Sequence, residues 1–244
     1  GWNQKTIHLF EKLYSKAKLT FANKVEEMPE VLLKTSGEGE REEIYKNLSS
    51  QLSIEEVSGW NLFDGVLINM ITGADISLEQ IKSIRNNFKG IIYFDVHTFS
   101  RGVDNKMKRE FRPISGIKEW LACINILQCN ESELKTIVQY QNEINSAEKI
   151  LSLGPNILII TKGNRGAQVY YRVNGEVKNL FVKAVRVNSV NKIGCGDIFG
   201  AVFFYTYIST NNILVSLNAA NKAGATAASR NDLTSHPEIE LNDR

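Results

Sequence analysis

Short apolar runs alternate with helix-spaced segments along most of this chain, and that alternation constrains its fold more than any other feature. Gly65-Val-Leu-Ile-Asn-Met-Ile71 and Gly90-Ile-Ile-Tyr-Phe-Asp95 read as strands. Between them, Leu78, Ile81, Ile84 and Phe88 fall on one face of a helix, and Ser77 with Gln80 has the pattern of a capping box. Near-continuous apolar strands are the mark of strands buried on both faces. The order strand, helix, strand therefore predicts an α/β chain with a mostly parallel central sheet flanked by helices on both faces.

The pattern continues. Ile117–Ile124 is helix-like, Ile124–Gln128 reads as a short strand, and Glu131–Tyr140 and Ser146–Leu153 are helix-like. Asn156–Thr161 is a buried strand. Gly166–Val173 and Glu176–Val187 predict an antiparallel C-terminal hairpin about Asn174-Gly175, a dipeptide suited to a tight turn. Two long helices, about Gly196–Ile208 and Ile213–Ala228, close the pattern, and the small residues from Asn218 to Ser229 permit close packing between them. Glu38-Gly-Glu-Arg-Glu-Glu43 reads as a solvated loop or edge. No linker divides the sequence, so residues 1–244 are expected to form one α/β domain.

Several function classes are disfavoured. With 29 Lys and Arg against 27 Asp and Glu, the net charge is +2, too balanced for a nucleic-acid surface. The longest uncharged run, Ile198–Asn221, is broken by Ser209-Thr210-Asn211-Asn212, which leaves too little apolar length for a membrane span. Cys123, Cys129 and Cys195 are scattered without disulfide-framework or zinc-finger spacing, and no signal-peptide pattern is present. A cytoplasmic location is the expectation.

Four constellations carry chemistry. In Gly194-Cys195-Gly196-Asp197, two glycines flank one residue and an aspartate follows at the start of an apolar helix. A glycine turn there exposes backbone N–H groups at the positive end of the helix dipole, an anion site. Asp197 at its mouth is placed to take a proton from an attacking hydroxyl; the plainer reading is a helix cap. Asn130 and Glu133 follow a strand and suit the water shell of Mg²⁺, or simply a helix N-terminus. Thr161-Lys162-Gly163, with Gly166, follows another strand and can bring backbone close to a nucleotide, or merely join strand to hairpin. Asp95, His97 and Arg101, past a third strand, can face the same crevice. No nucleophile-elbow motif supports hydrolysis, and Cys195 as a reactive thiol is the lesser reading of its position.

Taken in order, these residues resemble the ribokinase/PfkB family of carbohydrate kinases. The family signature Asp-Thr-x-Gly-Ala-Gly-Asp-x-Phe is matched by Asn191 to Phe199, its Asn-x-x-Glu by Asn130 and Glu133, its Thr-x-Gly-x-x-Gly by Thr161, Gly163 and Gly166, and its Asp-to-Arg stretch by Asp95 to Arg101. The resemblance implies a ribokinase-like fold and ATP-dependent phosphotransfer to a hydroxyl of a small-molecule substrate, a sugar or nucleoside. It implies Asp197 as base, with the N–H groups of Gly194, Cys195 and Gly196 around the moving phosphoryl. It also implies Asn130 and Glu133 holding Mg²⁺ through water, Thr161, Lys162 and Gly163 along the ATP site, and Asn221 beside the adenine. A homodimer is an assembly such kinases form. Departures accompany the resemblance. Asn191 and Lys192 replace the signature Asp and Thr, which argues against a monovalent-cation site. No Gly-Gly sugar motif occurs, and Gly1-Trp2-Asn3 resembles the glycine that follows the family's second strand, so the N-terminal sugar-binding and lid portion is expected to be absent. These departures carry an alternative: a non-catalytic nucleotide- or metabolite-binding relative.

Overall fold

The computed structural model describes residues 29–34, 42–48, 51–54, 59–139, 141–190 and 192–230. The Gly1-Trp2-Asn3 match, Asn191 and residues 38–41 of the acidic cluster lie outside them.

The first described strands, Val31–Lys34 (β1) and Glu42–Tyr45 (β2), pair as an antiparallel ribbon. Gly65–Asn69 (β3) is followed by helix Leu78–Asn87 (α1) and Ile91–Asp95 (β4). The capping box closes α1 as the sequence predicts: the Ser77 hydroxyl accepts the Gln80 N–H at 3.2 Å, and Gln80 Oε1 accepts the Ser77 N–H at 2.9 Å. A second ribbon, Arg101–Val103 (β5) with Arg109–Phe111 (β6), precedes helix Ile117–Ala122 (α2) and Ile126–Asn130 (β7). Helices Glu131–Ile137 (α3) and Glu143–Leu151 (α4) lead to Ile157–Thr161 (β8). The hairpin Gly166–Val173 (β9) and Glu176–Lys183 (β10) turns at Asn174-Gly175, both at positive φ. Helices Cys195–Thr210 (α5) and Ile213–Ala228 (α6) follow.

The central sheet has the order β10-β9-β8-β7-β4-β3. β3, β4, β7 and β8 run parallel; β9 and β10 are antiparallel additions. Side chains alternate across it. On one face Phe94, Leu127, Leu158 and Ile160 pack with Ile81, Trp120, Leu134 and Ile150 from α1 to α4. On the other, Tyr93, Ile126, Ile159 and Val169 pack with Phe203, Phe204 and Leu217 from α5 and α6. Each such fully buried side chain contributes about 1.5–3 kcal/mol. This is the two-faced α/β sheet expected from the alternation. No helix among the described residues is long and apolar enough to cross a membrane.

Several boundaries differ from the sequence expectation. β7 starts at Ile126 rather than Ile124, because the Asn125 side chain takes the Ile92 N–H at 2.8 Å. That shift makes Asn130 the last residue of its strand. α4 begins at Glu143, capped by Asn142. The two ribbons are the larger miss. Their short strands carry no readable period, yet an Ile44–Lys108 bridge and a Tyr45 N–H to Met107 carbonyl bond of 2.9 Å join them. The Tyr45 hydroxyl then ties the first ribbon to the Ile71 carbonyl, just past β3. The acidic cluster is corrected accordingly. Glu42 is a surface residue 2.9 Å from Lys108, but strand alternation turns Glu43 inward, where it is buried between Arg101 and Arg109.

Candidate active site

Each parallel strand ends on a polar residue: Asn69, Asp95, Asn130 and Thr161. Register places Asn69 beside Asp95, Asp95 beside Gln128, and Asn130 beside Thr161. The apolar runs stop where the chain leaves the core, so polar groups gather at the carboxyl edge, where open α/β sheets bind ligands.

The first turn of α5 faces this edge. Its N-cap is Gly194 at φ 76°, and no side chain caps it. A positive φ at that position suits glycine. The first intrahelical bond runs from the Ile198 N–H to the Gly194 carbonyl at 3.0 Å. The N–H groups of Cys195, Gly196 and Asp197 therefore have no carbonyl four residues back within the helix. α6 packs against this turn at Gly224, where a Cβ would stand in ordinary contact, 3.4 Å from the Cys195 carbonyl. Burial, with Asp197 nearby, pushes the Cys195 thiol up, away from the reactive thiolate.

Asp197 is exposed, and its Oδ1 accepts from Asn69 Nδ2 at 2.8 Å. Asp95, His97 and Asp197 each bring a ligating atom into a cluster spanning no more than 4.8 Å. The sequence put the first two in one crevice; the structure sets them beside Asp197. Asp95 is buried, and burial, reinforced by Glu133 and Asp197, holds its pKa well above the usual carboxylate range. The His97 N–H at 3.0 Å and Gln128 Nε2 at 2.8 Å oppose that rise. Burial lowers the pKa of His97, and both arginines add to the effect against the pull of Asp197.

Gln128 is a residue of this edge that sequence reasoning missed. It is buried, and its Nε2 donates to Asp95 Oδ2 at 2.8 Å and to the Gly196 carbonyl at 3.2 Å. Its Oε1 accepts the hydroxyl of fully buried Tyr93. One amide thus links the sheet, Asp95 and the first turn of α5. Gly200 makes room for it, since a Cβ there would stand 2.9 Å from Gln128 Oε1 and 3.2 Å from the Tyr93 hydroxyl. Asn69 was also missed. The available signal for both was a polar residue at or near the end of an otherwise apolar strand.

Asn130 and Glu133 close on each other as a capping box. Asn130 Oδ1 accepts the Ser132 and Glu133 N–H groups, both at 2.9 Å, while Glu133 accepts the Asn130 N–H and Nδ2, both at 2.7 Å. Burial raises the pKa of Glu133. Each Glu133 oxygen accepts one bond and keeps lone-pair capacity, so the pair fits a hydrated Mg²⁺, which is held through a few carboxylates and retained water.

The remaining predicted residues divide. Thr161 sits beside Asn130, with its hydroxyl 3.4 Å from the Cys129 carbonyl. Gly163, at φ 57°, has open space where a Cβ would go. The Lys162 amine turns to α4, where Glu143 binds it. Asn221 is buried and donates to the Lys183 carbonyl at 2.8 Å, fixing α6 to the end of β10. Arg101, itself on the second ribbon, lies 3.6 Å from Glu43 of the first and sets its Cζ 4.3 Å over the Phe111 ring.

Comparison with known proteins bears on this arrangement. The model of the pfkB family of carbohydrate kinases matches residues 97–239, a stretch that holds His97, Asn130, Glu133, Asp197 and Asn221. An ATP-dependent ribose-1-phosphate kinase of Halopiger xanaduensis is 28% identical over 122 residues, 50% of this chain and 38% of that protein. Ribokinase of Thermotoga maritima superposes with a TM-score of 0.70 at 18% identity, over 96% of this chain and 74% of that one. Ribokinase of Arabidopsis thaliana, solved with ribose and ATP, gives 0.63 at 19% identity, over 84% and 64%. A pyrophosphate-dependent kinase of the ribokinase family gives 0.63 at 17% identity, over 77% and 64%. These structural likenesses are of fold, and the match spans well under half of the curated relative's length.

Proposed function

Because the chain belongs to the pfkB family of carbohydrate kinases, we propose that it transfers the terminal phosphoryl group of ATP to a hydroxyl of a small molecule, a sugar or nucleoside. The observation that carries this reading is the position of Asp197 at the uncapped first turn of α5, oriented by Asn69 and clustered with Asp95 and His97 at the sheet's carboxyl edge.

Asn69 occupies Oδ1, so Oδ2 of Asp197 is the oxygen that takes the acceptor's proton. The deprotonated oxygen attacks the γ-phosphorus in line, and the bond to the ADP oxygen breaks. Charge developing on the phosphoryl oxygens meets the N–H groups of Gly194, Cys195 and Gly196 and the positive end of α5. Asn130 and Glu133 would hold Mg²⁺ through water, and that ion supplies charge neutralisation on the phosphates. The backbone of Thr161 to Gly163 lines the nucleotide, while the Lys162 amine, bound by Glu143, stays out of it. The ATP dependence of the Halopiger kinase and the ATP bound to the Arabidopsis ribokinase support ATP as donor.

Asp197→Asn tests the assignment. It keeps the size of the side chain and removes the base. Turnover is expected to fall about 10²- to 10⁴-fold, with the affinity for Mg·ATP within about twofold of the parent. Turnover within tenfold of the parent overturns the base assignment. A parent chain that binds Mg·ATP yet phosphorylates no hydroxyl acceptor establishes the binding-only relative instead.

A further inference from the structure

We infer that Asp95, His97 and Asp197 form a binding site for a transition-metal dication such as Zn²⁺, and that a metal held there silences Asp197 as a base. The site stands on its own geometry; the silencing rests on the phosphotransfer reading.

The donor set is the first argument. Two carboxylates and an imidazole each bring one ligating atom to within 4.8 Å of the others. His97 Nδ1 lies 3.7 Å from Asp95 Oδ1. Metal bonds of about 2.0–2.2 Å at tetrahedral angles set neighbouring ligand atoms about 3.3–3.6 Å apart. That edge of the site is therefore already close to the length a metal needs. Asp197, exposed on the first turn of α5, has the freedom to complete it. A nitrogen in the set favours Zn²⁺ over Mg²⁺, which takes oxygen ligands in octahedral geometry. The site is thus separate in chemistry, as in residues, from Asn130 and Glu133.

An unmet polar atom is the second. Among the described residues, His97 Nδ1 is buried without a hydrogen-bond partner. Its 3.7 Å separation from Asp95 Oδ1 is too long for a hydrogen bond. A buried polar atom left unpaired is costly. With the ring proton on Nε2, Nδ1 presents a lone pair, the form in which histidine binds metals. The fold does not use this lone pair, and a cation between the two aspartates would.

Support behind the ligands is the third. Asp95 Oδ1 accepts the His97 backbone N–H at 3.0 Å, and its Oδ2 accepts Gln128 Nε2 at 2.8 Å. Asp197 Oδ1 accepts Asn69 Nδ2 at 2.8 Å. Ligating carboxylates that are themselves hydrogen-bonded are held in orientation. The turn that carries His97 is fixed as well: the Thr98 hydroxyl donates to the Met70 carbonyl at 2.7 Å, and the Ser100 hydroxyl to the His97 carbonyl at 2.8 Å. A cation enters past Asp197 and past His97, whose side chain keeps 31% of its surface exposed. Arg101 and Arg109 act against a cation here, and the two carboxylates of the site act for it. Three protein ligands leave a fourth position to water. A metal on either oxygen of Asp197 withdraws the charge that would take the acceptor's proton, so metal and acceptor hydroxyl exclude each other.

The experiment titrates Zn²⁺ calorimetrically into the full chain without nucleotide, with Co²⁺ as a spectroscopic stand-in. One equivalent is expected to bind with a Kd of about 10 µM or tighter and to stay bound in excess Mg²⁺. The visible spectrum of Co²⁺ should show a four-coordinate site with no thiolate charge-transfer band. Loss of an outer partner of a metal site costs about 10- to 100-fold in affinity, so His97→Ala and Asp197→Asn, which change ligands directly, should each weaken Zn²⁺ at least about tenfold. Asp197 is exposed, so its variant decides the matter should His97→Ala fail to fold. With ribose or adenosine as acceptor and saturating Mg·ATP, turnover should fall in proportion to the Zn²⁺ bound, set by a metal buffer, and return when a chelator is added. No binding at that strength, binding undiminished in both variants, or a thiolate band overturns the site. A chain that phosphorylates an acceptor but binds no Zn²⁺ keeps phosphotransfer and loses the site. Zn²⁺ bound through these residues without loss of turnover overturns the silencing. Zn²⁺ so bound by a chain that phosphorylates no hydroxyl acceptor leaves the site and sinks the phosphotransfer reading.

Discussion

Replacing Gln128 with methionine keeps the volume and deletes the hydrogen bonds that this amide makes between the sheet, Asp95 and the first turn of α5. The Tyr93 hydroxyl, fully buried, loses its acceptor; Asp95 loses one of its two donors; the Gly196 carbonyl loses its contact. An orphaned buried polar group costs about 1–3 kcal/mol, so two of them, Tyr93 and Asp95, cost about 4 kcal/mol. For a chain of 244 residues, where 1 kcal/mol moves Tm by about 2–4 °C, Gln128→Met should melt roughly 8–16 °C lower. A second variant checks the cause. Tyr93→Phe removes the hydroxyl that Gln128→Met strands, so the double variant should be more stable than the sum of the singles by about 1–2 kcal/mol. The functional cost is separate. With Gly196 untied, displacement of the anion turn by about 1 Å costs about 10²-fold in turnover. Calorimetric melting of the four proteins, with kcat from a coupled ADP assay, reads both effects. A Tm loss under about 3 °C for Gln128→Met, or strict additivity in the double variant, would refute the claim that this amide holds the turn.

Two further predictions follow from charge and backbone. Glu133 has its pKa raised by burial above an ordinary value of 4.5, so its favourable contribution is complete below that pH and lost as pH rises through the raised value. The unfolding free energy of Glu133→Gln should therefore gain on the parent as pH climbs from about 4.5 to 7, and denaturant midpoints that diverge in the opposite sense would show the carboxylate to be stabilised instead. Gly166→Ala combines φ 124° with a Cβ placed 2.0 Å from the Val182 carbonyl, whereas Gly163→Ala meets open space at φ 57°. The first should lose well over 2 kcal/mol and loosen the β9–β10 hairpin, the second only the left-handed cost of about 1–2 kcal/mol; equal losses by chemical denaturation would refute the steric reasoning.

What was legible in the sequence had a short-range signature. The period of Leu78, Ile81, Ile84 and Phe88 and the capping pair Ser77/Gln80 located α1, and Asn174-Gly175 located the hairpin turn. Gly194 to Asp197 announced a glycine-started helix because the whole device fits in four residues. The missed features are assembled from distant pieces. Asn69 has no meaning in its own strand until α5 brings Asp197 to it. Gln128 sits among apolar neighbours and looks like any strand residue until Tyr93, Asp95 and Gly196 surround it. The ribbons are three or four residues long, too short for a period, and Glu43 reads as one more surface acid because its partners lie beyond a whole βαβ unit. Lys162 shows the converse: its place in a motif pointed to the nucleotide, while Glu143 on the preceding helix holds its amine.

The Asn69–Asp197 contact spans 128 residues, and this separation governs when the site can exist. Strands β3 to β8 pair through short crossovers and can assemble as the chain is made. Asp197, the proposed base, and the uncapped turn around it arrive only with α5, and α5 is braced by α6, the last described helix. During synthesis the strands of the sheet are thus made before α5 brings Asp197 to Asn69. Loop closure over so long a stretch is slow, so recovery of turnover after denaturation should trail recovery of the sheet. A chain cut before residue 194 would lack Asp197 and also the two helices that cover one face of the sheet, so on the proposed reading activity would report complete folding rather than local structure.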